Sequence, residues 1–154
     1  MKIQWKKLFF SLLIPLIVAI ISSFLIRDSV SLYEQLKQPP FSPPGFLFPI
    51  VWSILYLLMG ISCYLILTTS SPFRPAALFL YSIQLFLNFL WAPVFFNLKS
   101  PLLAFLILIL LWISVFQMIR IFYKINPIAA WLQLPYLLWL SFAAYLNLSV
   151  ILLN

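Results

Sequence analysis

Five long apolar segments constrain the fold of this sequence more than any other feature. Each approaches or exceeds the roughly 20 residues that a membrane-spanning helix needs, and none contains a charged residue. The segments cover residues 8–26, 46–67, 76–98, 101–119 and 127–153. Strand-like alternation of apolar and polar residues is missing, which argues against a β-barrel. We therefore predict an all-α membrane protein, a five-transmembrane-helix bundle that forms one domain over residues 1–154.

The composition supports this class and excludes most familiar catalysis. Hydrophobic residues make up 66% of the chain and charged residues 7%, too few for the polar surface of a soluble domain. There is no His, the only acids are Asp28 and Glu34, and Cys63 is the single cysteine. Hydrolytic triads, zinc sites, two-carboxylate mechanisms and an internal disulfide are therefore excluded or nearly so. We expect no metal and no required cofactor.

The basic residues predict an orientation in the membrane. The N-terminal side, with the second and fourth loops, holds Lys2, Lys6, Lys7, Arg74, Arg120 and Lys124, and the opposite side holds Arg27, Lys37 and Lys99. This bias favours an inside N-terminus, and the scattered bases indicate membrane-flanking charge rather than nucleic-acid binding. The basic start before an apolar run also resembles a signal peptide. The run is long and no clear A-x-A cleavage site follows, which favours a retained helix.

Helix-start signals make most of the loops short. Ser100-Pro101 and Asn126-Pro127 each place a capping side chain before a Pro at the first helical position, and Pro75 is expected to open the third helix similarly. Short loops make consecutive helices antiparallel neighbours. Three further prolines lie within the segments and are expected to kink or locally unwind them: Pro15, Pro93 and Pro135.

The first loop, residues 27–45, is much longer than the others. Ser31 and Glu34 fit a capping box, which predicts a short helix that ends before Pro39. The chain is then made stiff and extended by Pro39, Pro40, Pro43 and Pro44. Such a segment is either a lid over the mouth of the bundle or a surface strap without a ligand role, and the residues leave both interpretations open.

Polar and aromatic residues recur at helical spacing in three segments. These stripes are Trp52, Tyr56 and Gly60; Gln84, Asn88, Trp91 and Phe95; and Trp131, Pro135, Trp139 and Ala143, with Phe142, Leu146 and Asn147 alongside. Lipid-facing positions prefer aliphatic side chains, so we expect these faces to point inward. They would either hold the helices together or line a pocket for a flat, largely apolar ligand. Trp131 also fits the aromatic belt at a membrane interface.

Three stretches together carry a resemblance. They are Tyr33-Glu34-x-Leu36-Lys37-x-Pro39 followed by Pro43-Pro44-Gly45 and Trp52-x-x-Leu55-Tyr56; Gln84-Leu85-x-x-Asn88-x-x-Trp91-x-x-x-Phe95-Phe96; and Ala130-Trp131-x-x-x-Pro135-Tyr136-x-x-Trp139-x-x-Phe142-Ala143-x-Tyr145-Leu146-Asn147. In this order they resemble the TspO/MBR family of tryptophan-rich sensory proteins and mitochondrial translocator (peripheral benzodiazepine receptor) proteins. The resemblance covers nearly the whole chain.

The resemblance implies an integral membrane receptor or carrier, often a homodimer, here expected in a bacterial cell membrane. Its pocket opens between the helices beneath the first loop and binds tetrapyrroles such as protoporphyrin IX, sterols and isoquinoline carboxamides. Carried over residue by residue, the ligand-binding positions are Tyr33, Pro43, Trp52, Tyr56, Gln84, Asn88, Trp91, Phe95, Trp139, Ala143 and Leu146. The alternative function is a small membrane transporter or a scaffold for lipids or sterols without catalytic activity.

The resemblance also implies a possible light-dependent reaction of the bound porphyrin. Some bacterial members are reported to degrade protoporphyrin in light and to need two pocket Trp residues, whose counterparts are Trp52 and Trp139. An excited porphyrin can take an electron from a nearby indole, so catalysis would consist of proximity and orientation, and enzyme activity stays an open question. The family's sterol motif is incomplete, because no basic residue follows Leu140 and Tyr145. Cholesterol is therefore a poorer expectation than a tetrapyrrole.

Overall fold

The computed structural model describes residues 2–29, 31 and 34–154, and these residues form helices and loops without any strand. The helices are α1 (Trp5–Ile26), α2 (Leu47–Leu67), α3 (Arg74–Phe96), α4 (Pro101–Ile125), α5 (Pro127–Trp131) and α6 (Leu134–Leu153). Helices α1 to α4 are each long and apolar enough to cross a membrane, and α5 and α6 together form a fifth span. The prediction of an all-α, five-span protein is confirmed.

The predicted helix starts are confirmed at three sites. The Ser100 hydroxyl accepts a hydrogen bond from the Leu103 backbone N–H at 3.4 Å, at the start of α4. The Asn126 side-chain oxygen accepts one from the Ile128 N–H at 3.0 Å, at the start of α5. Pro75 lies in the first turn of α3. In each case the proline occupies a position whose N–H would have no partner within the helix.

The fourth span extends past its predicted end, and the fifth span keeps its predicted bounds but is interrupted within them. Helix α4 extends to Ile125 rather than ending near residue 119, because Phe122 and Ile125 are buried while the charged Arg120 and Lys124 are exposed. The fifth span is broken between Trp131 and Leu134. Pro135 has no N–H to donate to the carbonyl four residues earlier, so the predicted local unwinding occurs one turn before it.

The helices pack unevenly around the centre of the bundle. Helix α3 packs along α4, α1 packs along α2 and also contacts α3, and α4 contacts both α5 and α6. Among the described residues, the backbone of α6 makes no extensive close approach to α2 or to α3. The space between these three helices is therefore filled by side chains, and this space holds the candidate site.

Loop one is attached to the bundle at both of its ends. The Asn97 side chain, just after α3, donates to the Leu25 carbonyl and accepts from the Ser29 hydroxyl, each at 2.7 Å. Further along the loop, the Asn154 side chain exchanges two hydrogen bonds with the Lys37 backbone, at 3.2 and 3.1 Å. The Tyr145 hydroxyl donates to the Pro40 carbonyl at 3.1 Å. Loop one is thus fastened across one end of the bundle.

The predicted short helix in loop one lies partly outside the described residues. Ser31 and Glu34 are helical, whereas Leu32 and Tyr33 between them are not among the residues described. The proline-rich part continues as a turn in which the Ser42 hydroxyl and N–H both donate to the Pro39 carbonyl. Pro39 itself is buried, so this segment packs onto the bundle.

Gly60 allows α1 and α2 to approach closely. A Cβ atom at this position would lie 2.9 Å from the Ser11 carbonyl oxygen and 3.0 Å from the Leu12 Cα. These are backbone atoms of α1, which cannot move aside as a flexible side-chain end could. Small residues at helix contacts are what permit such approach in membrane proteins.

We predict that Gly60→Ala destabilises the protein by about 1–3 kcal/mol, because the added methyl group pushes α1 away from α2. The measurement is the melting temperature of the purified protein in detergent. The chain's other glycine provides a matched control, because the one atom of the described residues that a Cβ at Gly45 would meet is a Glu34 carboxylate oxygen at 3.9 Å. Equal melting temperatures for Gly60→Ala, Gly45→Ala and the parent chain would contradict this account.

Candidate ligand-binding site

The core of the candidate site is a group of aromatic rings between α2 and α6. The ring centroids of Trp52 and Trp139 lie 6.4 Å apart, and the two ring planes are at 89°. Trp52 also contacts Tyr136 edge-on at 6.3 Å and its neighbour Tyr56 at 5.7 Å. Since the backbones of α2 and α6 do not pack closely, these rings make the connection between the two helices. Edge-to-face contacts of this kind are favourable but individually weak.

A chain of hydrogen bonds runs through the side chains beside these rings. The Tyr56 hydroxyl donates to the Asn88 amide oxygen at 2.5 Å, and the Asn88 amide nitrogen donates to the Tyr136 hydroxyl at 2.8 Å. That hydroxyl in turn donates to the Gln84 amide oxygen at 2.8 Å. The chain joins α2, α3 and α6 through buried amides, which in this structure hold the helices together. A ligand-binding role for Gln84 and Asn88 stays a prediction.

A second polar connection lies further along α3 and α6. The Trp91 indole N–H donates to the Asn147 amide oxygen at 3.0 Å, and the Asn147 amide nitrogen donates to the Pro101 carbonyl at 2.9 Å. Trp91 also stacks on Phe95, with ring centroids 5.3 Å apart. Asn147 therefore ties the fifth span to the start of α4 and fixes the plane of the Trp91 ring.

Trp139 differs from Trp91 in the hydrogen bonding of its indole nitrogen. Its indole nitrogen is buried, yet within the described part of the chain no acceptor lies within hydrogen-bond distance of it. Leaving a buried N–H without a partner costs about 1–3 kcal/mol. The ring packs against Trp52, Phe48 and Phe142. The candidate site thus contains one donor that its own side chains do not satisfy.

The space left between these side chains is small. A cavity of about 10 Å³ is lined by Trp52, Asn88, Trp91, Leu108, Leu111, Leu140 and Ala143. This is close to the minimum for one water molecule, which is about 10–15 Å³. The rings and amides are therefore packed against one another, and the site is closed in this structure.

The predicted site residues are brought together only in part. Trp52, Asn88, Trp91 and Ala143 line the cavity, and Tyr56, Gln84 and Trp139 belong to the rings and hydrogen bonds around it. Phe95 is buried against Trp91, Leu146 is buried on α6, and Pro43 is half-buried in loop one. Tyr33 lies outside the described residues, and its ligand-binding role stays a prediction.

Two residues of the stripes face elsewhere. Gly60 shares a stripe with Trp52 and Tyr56, but it packs against α1 rather than the cavity. Trp131 is 61% exposed, as expected of an interfacial Trp rather than a pocket residue. A stripe at helical spacing therefore identifies a buried face without specifying which neighbour it meets.

The site also includes residues that sequence reasoning did not assign to it. The hydroxyl of Tyr136 is the centre of the hydrogen-bond chain, and Leu108, Leu111 and Leu140 form the apolar wall. Tyr136 lies at helical spacing from Trp139, Leu140 and Ala143, which is a signal that could have found it. The leucines of α4 carry no such signal, because both the buried and the lipid-facing sides of that helix are aliphatic.

Comparison with known proteins settles the family. The sequence profile described as the TspO/MBR family matches residues 11–153. The chain belongs to the TspO/MBR family. Among its relatives, the tryptophan-rich protein TspO of Archaeoglobus fulgidus is 38% identical over 151 residues, covering 96% of this chain and 97% of the relative. The protein of the same name from Chlorobaculum tepidum is 36% identical over 135 residues, covering 86% and 85% respectively.

A human relative extends the match within the TspO/MBR family. The translocator protein of Homo sapiens is 34% identical over 132 residues, which cover 84% of this chain and 78% of the relative. The family resemblance inferred from the motifs is therefore confirmed. The ligand and the roles of individual residues are separate questions.

We predict that Tyr136→Phe destabilises the protein by about 1–3 kcal/mol, because it leaves the buried amides of Asn88 and Gln84 without their shared partner. The melting temperature in detergent measures the effect. Tyr123→Phe is the matched control, since Tyr123 is 56% exposed. Equal melting temperatures for the two variants would show that the hydrogen-bond chain does not stabilise the bundle.

Proposed function

We propose that this TspO/MBR protein is a membrane receptor or carrier that binds a tetrapyrrole of the protoporphyrin IX kind between its helices, beneath loop one. One observation carries the proposal: Trp52 and Trp139 face each other between α2 and α6, and the buried N–H of Trp139 has no acceptor among the described residues. A flat conjugated ring packs well on indoles, and a carboxylate or ring nitrogen at its edge can accept that hydrogen bond.

Binding of such a ligand requires the site to open. Pockets for small organic ligands measure about 300–1,000 Å³, whereas the closed cavity measures about 10 Å³. The separation of Trp52 from Trp139 breaks ring contacts rather than a closely packed backbone interface, so we propose that the ligand enters there. Loop one is fastened to α6 through Tyr145 and Asn154, and its release would uncover this end of the site.

Light would supply the chemistry in the proposed porphyrin degradation. The site contains no imidazole or carboxylate, and Tyr56, Asn88 and Tyr136 bind one another. The contribution of the protein is then to hold an excited porphyrin against Trp52 or Trp139, each of which can donate an electron, while molecular oxygen is the oxidant. The porphyrin is substrate in this scheme and not a resident cofactor.

The second candidate function is a small transporter or scaffold for lipids or sterols without catalytic activity. The apolar wall of Leu108, Leu111 and Leu140 would suit a sterol as well as a tetrapyrrole. The human relative is named translocator protein, which favours movement of a ligand. Ion-coupled transport is disfavoured, because the charged residues of the described spans lie toward helix ends.

The resemblance and the charge distribution support three further parts of the proposal. We propose a homodimer, in a bacterial cell membrane, with the N-terminus inside. The orientation follows from the excess of Lys and Arg on the side that holds the N-terminus and the second and fourth loops.

We predict saturable binding of protoporphyrin IX by the purified protein, followed as a change in the porphyrin absorbance band. Trp52→Phe and Trp139→Phe should each weaken binding about tenfold, because each removes ring area and Trp139→Phe also removes an N–H that has no acceptor among the described residues. Trp112→Phe is the matched control, since Trp112 stacks on Phe116 and donates to Ser141 away from the cavity. Absence of saturation, or equal affinities for all three variants, would refute tetrapyrrole binding at this site.

We also predict that illumination in the presence of oxygen removes the absorbance of bound porphyrin faster than that of free porphyrin in the same detergent. At saturating porphyrin, Trp52→Phe and Trp139→Phe should slow the loss, whereas Trp112→Phe should not. Equal rates for bound and free porphyrin would leave a receptor or carrier without photochemistry, so this test separates binding from catalysis.

A further inference from the structure

A second cavity lies outside the candidate site, at the other end of the bundle. It is a groove of about 520 Å³ between the end of α4 and the start of the fifth span. Arg120 and Lys124 lie on one side of it, and Ala130, Trp131 and Leu134 lie on the other. The groove thus combines two cations with an apolar wall and a Trp that is 61% exposed. The proposed tetrapyrrole site uses none of these residues.

The end of the bundle that holds this groove, here called the basic end, is free of acidic residues. The two acids of the chain, Asp28 and Glu34, both lie in loop one. Loop one is fastened to Asn97 and Asn154 at the opposite end. The basic end carries Lys2, Lys6, Lys7, Arg74, Arg120 and Lys124. Its positive charge is therefore not neutralised by any side chain of this protein.

Arg120 and Lys124 are placed to share one anion. They are four residues apart on α4, so they lie on the same helical face, and both are exposed. Like charges at this spacing repel each other, and an anion between them relieves the repulsion. The Lys124 ammonium also lies 5.4 Å from the centre of the Phe73 ring, a cation–π contact next to the groove lining that Lys124 itself forms.

We propose that this groove binds an acidic glycerophospholipid from the surrounding leaflet, with its phosphate on Arg120 and Lys124. An acyl chain would lie along Ile119 and Leu134, which also line the groove. Tyr123 and Trp131 flank it, and such aromatic residues prefer the level of the lipid headgroups. Basic pockets between membrane helices, at the level of the headgroups, are a recurrent arrangement for anionic lipids.

Charge favours a lipid over a second copy of this chain. A symmetric interface through this groove would place Arg120 and Lys124 of one copy near the same residues of the other, with no acid to separate them. Free phosphate would meet the cations but leave the apolar wall uncovered. A phospholipid matches both parts of the groove.

The test is native mass spectrometry of the purified full chain, titrated with phosphatidylglycerol or phosphatidylcholine of identical acyl chains. We expect phosphatidylglycerol to bind more tightly, and Arg120→Gln/Lys124→Gln to weaken its binding about tenfold. Phosphatidylcholine binding should change little. Arg120→Lys/Lys124→Arg, which keeps both charges, should restore most of the phosphatidylglycerol affinity, so a folding defect cannot mimic the pattern.

The matched control is Lys6→Gln/Lys7→Gln, which removes the same charge from exposed positions at the basic end but outside the groove. An equal loss of phosphatidylglycerol in this control would overturn the proposal in favour of diffuse surface attraction. Equal affinities for the two lipids would overturn it as well. Displacement of the lipid by inorganic phosphate would assign the groove to a free anion, and lipid binding that splits the proposed homodimer into monomers would assign the groove to the subunit interface.

Discussion

The centre of this bundle depends on the hydrogen bonds of one side chain, the Tyr136 hydroxyl group. Within lipid, apolar surfaces gain little from meeting each other, so helix association relies on packing and on hydrogen bonds between helices. Helix α6 makes no extensive close backbone contact with α2 or α3 in the described residues, yet this one hydroxyl bonds both Asn88 and Gln84 of α3. Through Asn88 the connection continues to Tyr56 on α2. Three helices are thereby held around a region where their backbones stay apart.

In the proposed function, the residues that hold α2, α3 and α6 together would also contact the ligand. At Gly60 the backbones of α1 and α2 are in close contact, which leaves no room for a ligand between these two helices. Between α2 and α6 the contact is made by the rings of Trp52, Tyr136 and Trp139 rather than by backbone. The indole N–H of Trp139 has no acceptor among the residues that the structure describes, and a buried N–H without a partner costs about 1–3 kcal/mol.

Local chemistry in the sequence predicts the helices well and the site less completely. Ser100 and Asn126 start helices because their side chains satisfy N–H groups beside a proline, and this needs no knowledge of the fold. Helix α4 extends beyond its predicted end because Phe122 and Ile125 are buried. Their burial depends on neighbours that are distant in sequence, so the local pattern does not predict it. Gly60 and Tyr136 have spacing that indicates an inward face. Whether such a face meets α1 or the cavity is decided by the packing of all the helices, which periodicity does not encode.

The distribution of charge gives the two ends of the bundle different chemistry. Both acids lie in loop one, where Asp28 is 3.9 Å from Arg27, and the opposite end has only cations. The interior between them is left to Trp, Tyr, Asn and Gln, whose polar atoms mostly bind one another. Such an interior has no group of its own that can act as a proton-transfer catalyst near neutral pH. Any reaction there must draw its reactivity from the bound molecule, and the two indoles can contribute through their position and their electrons.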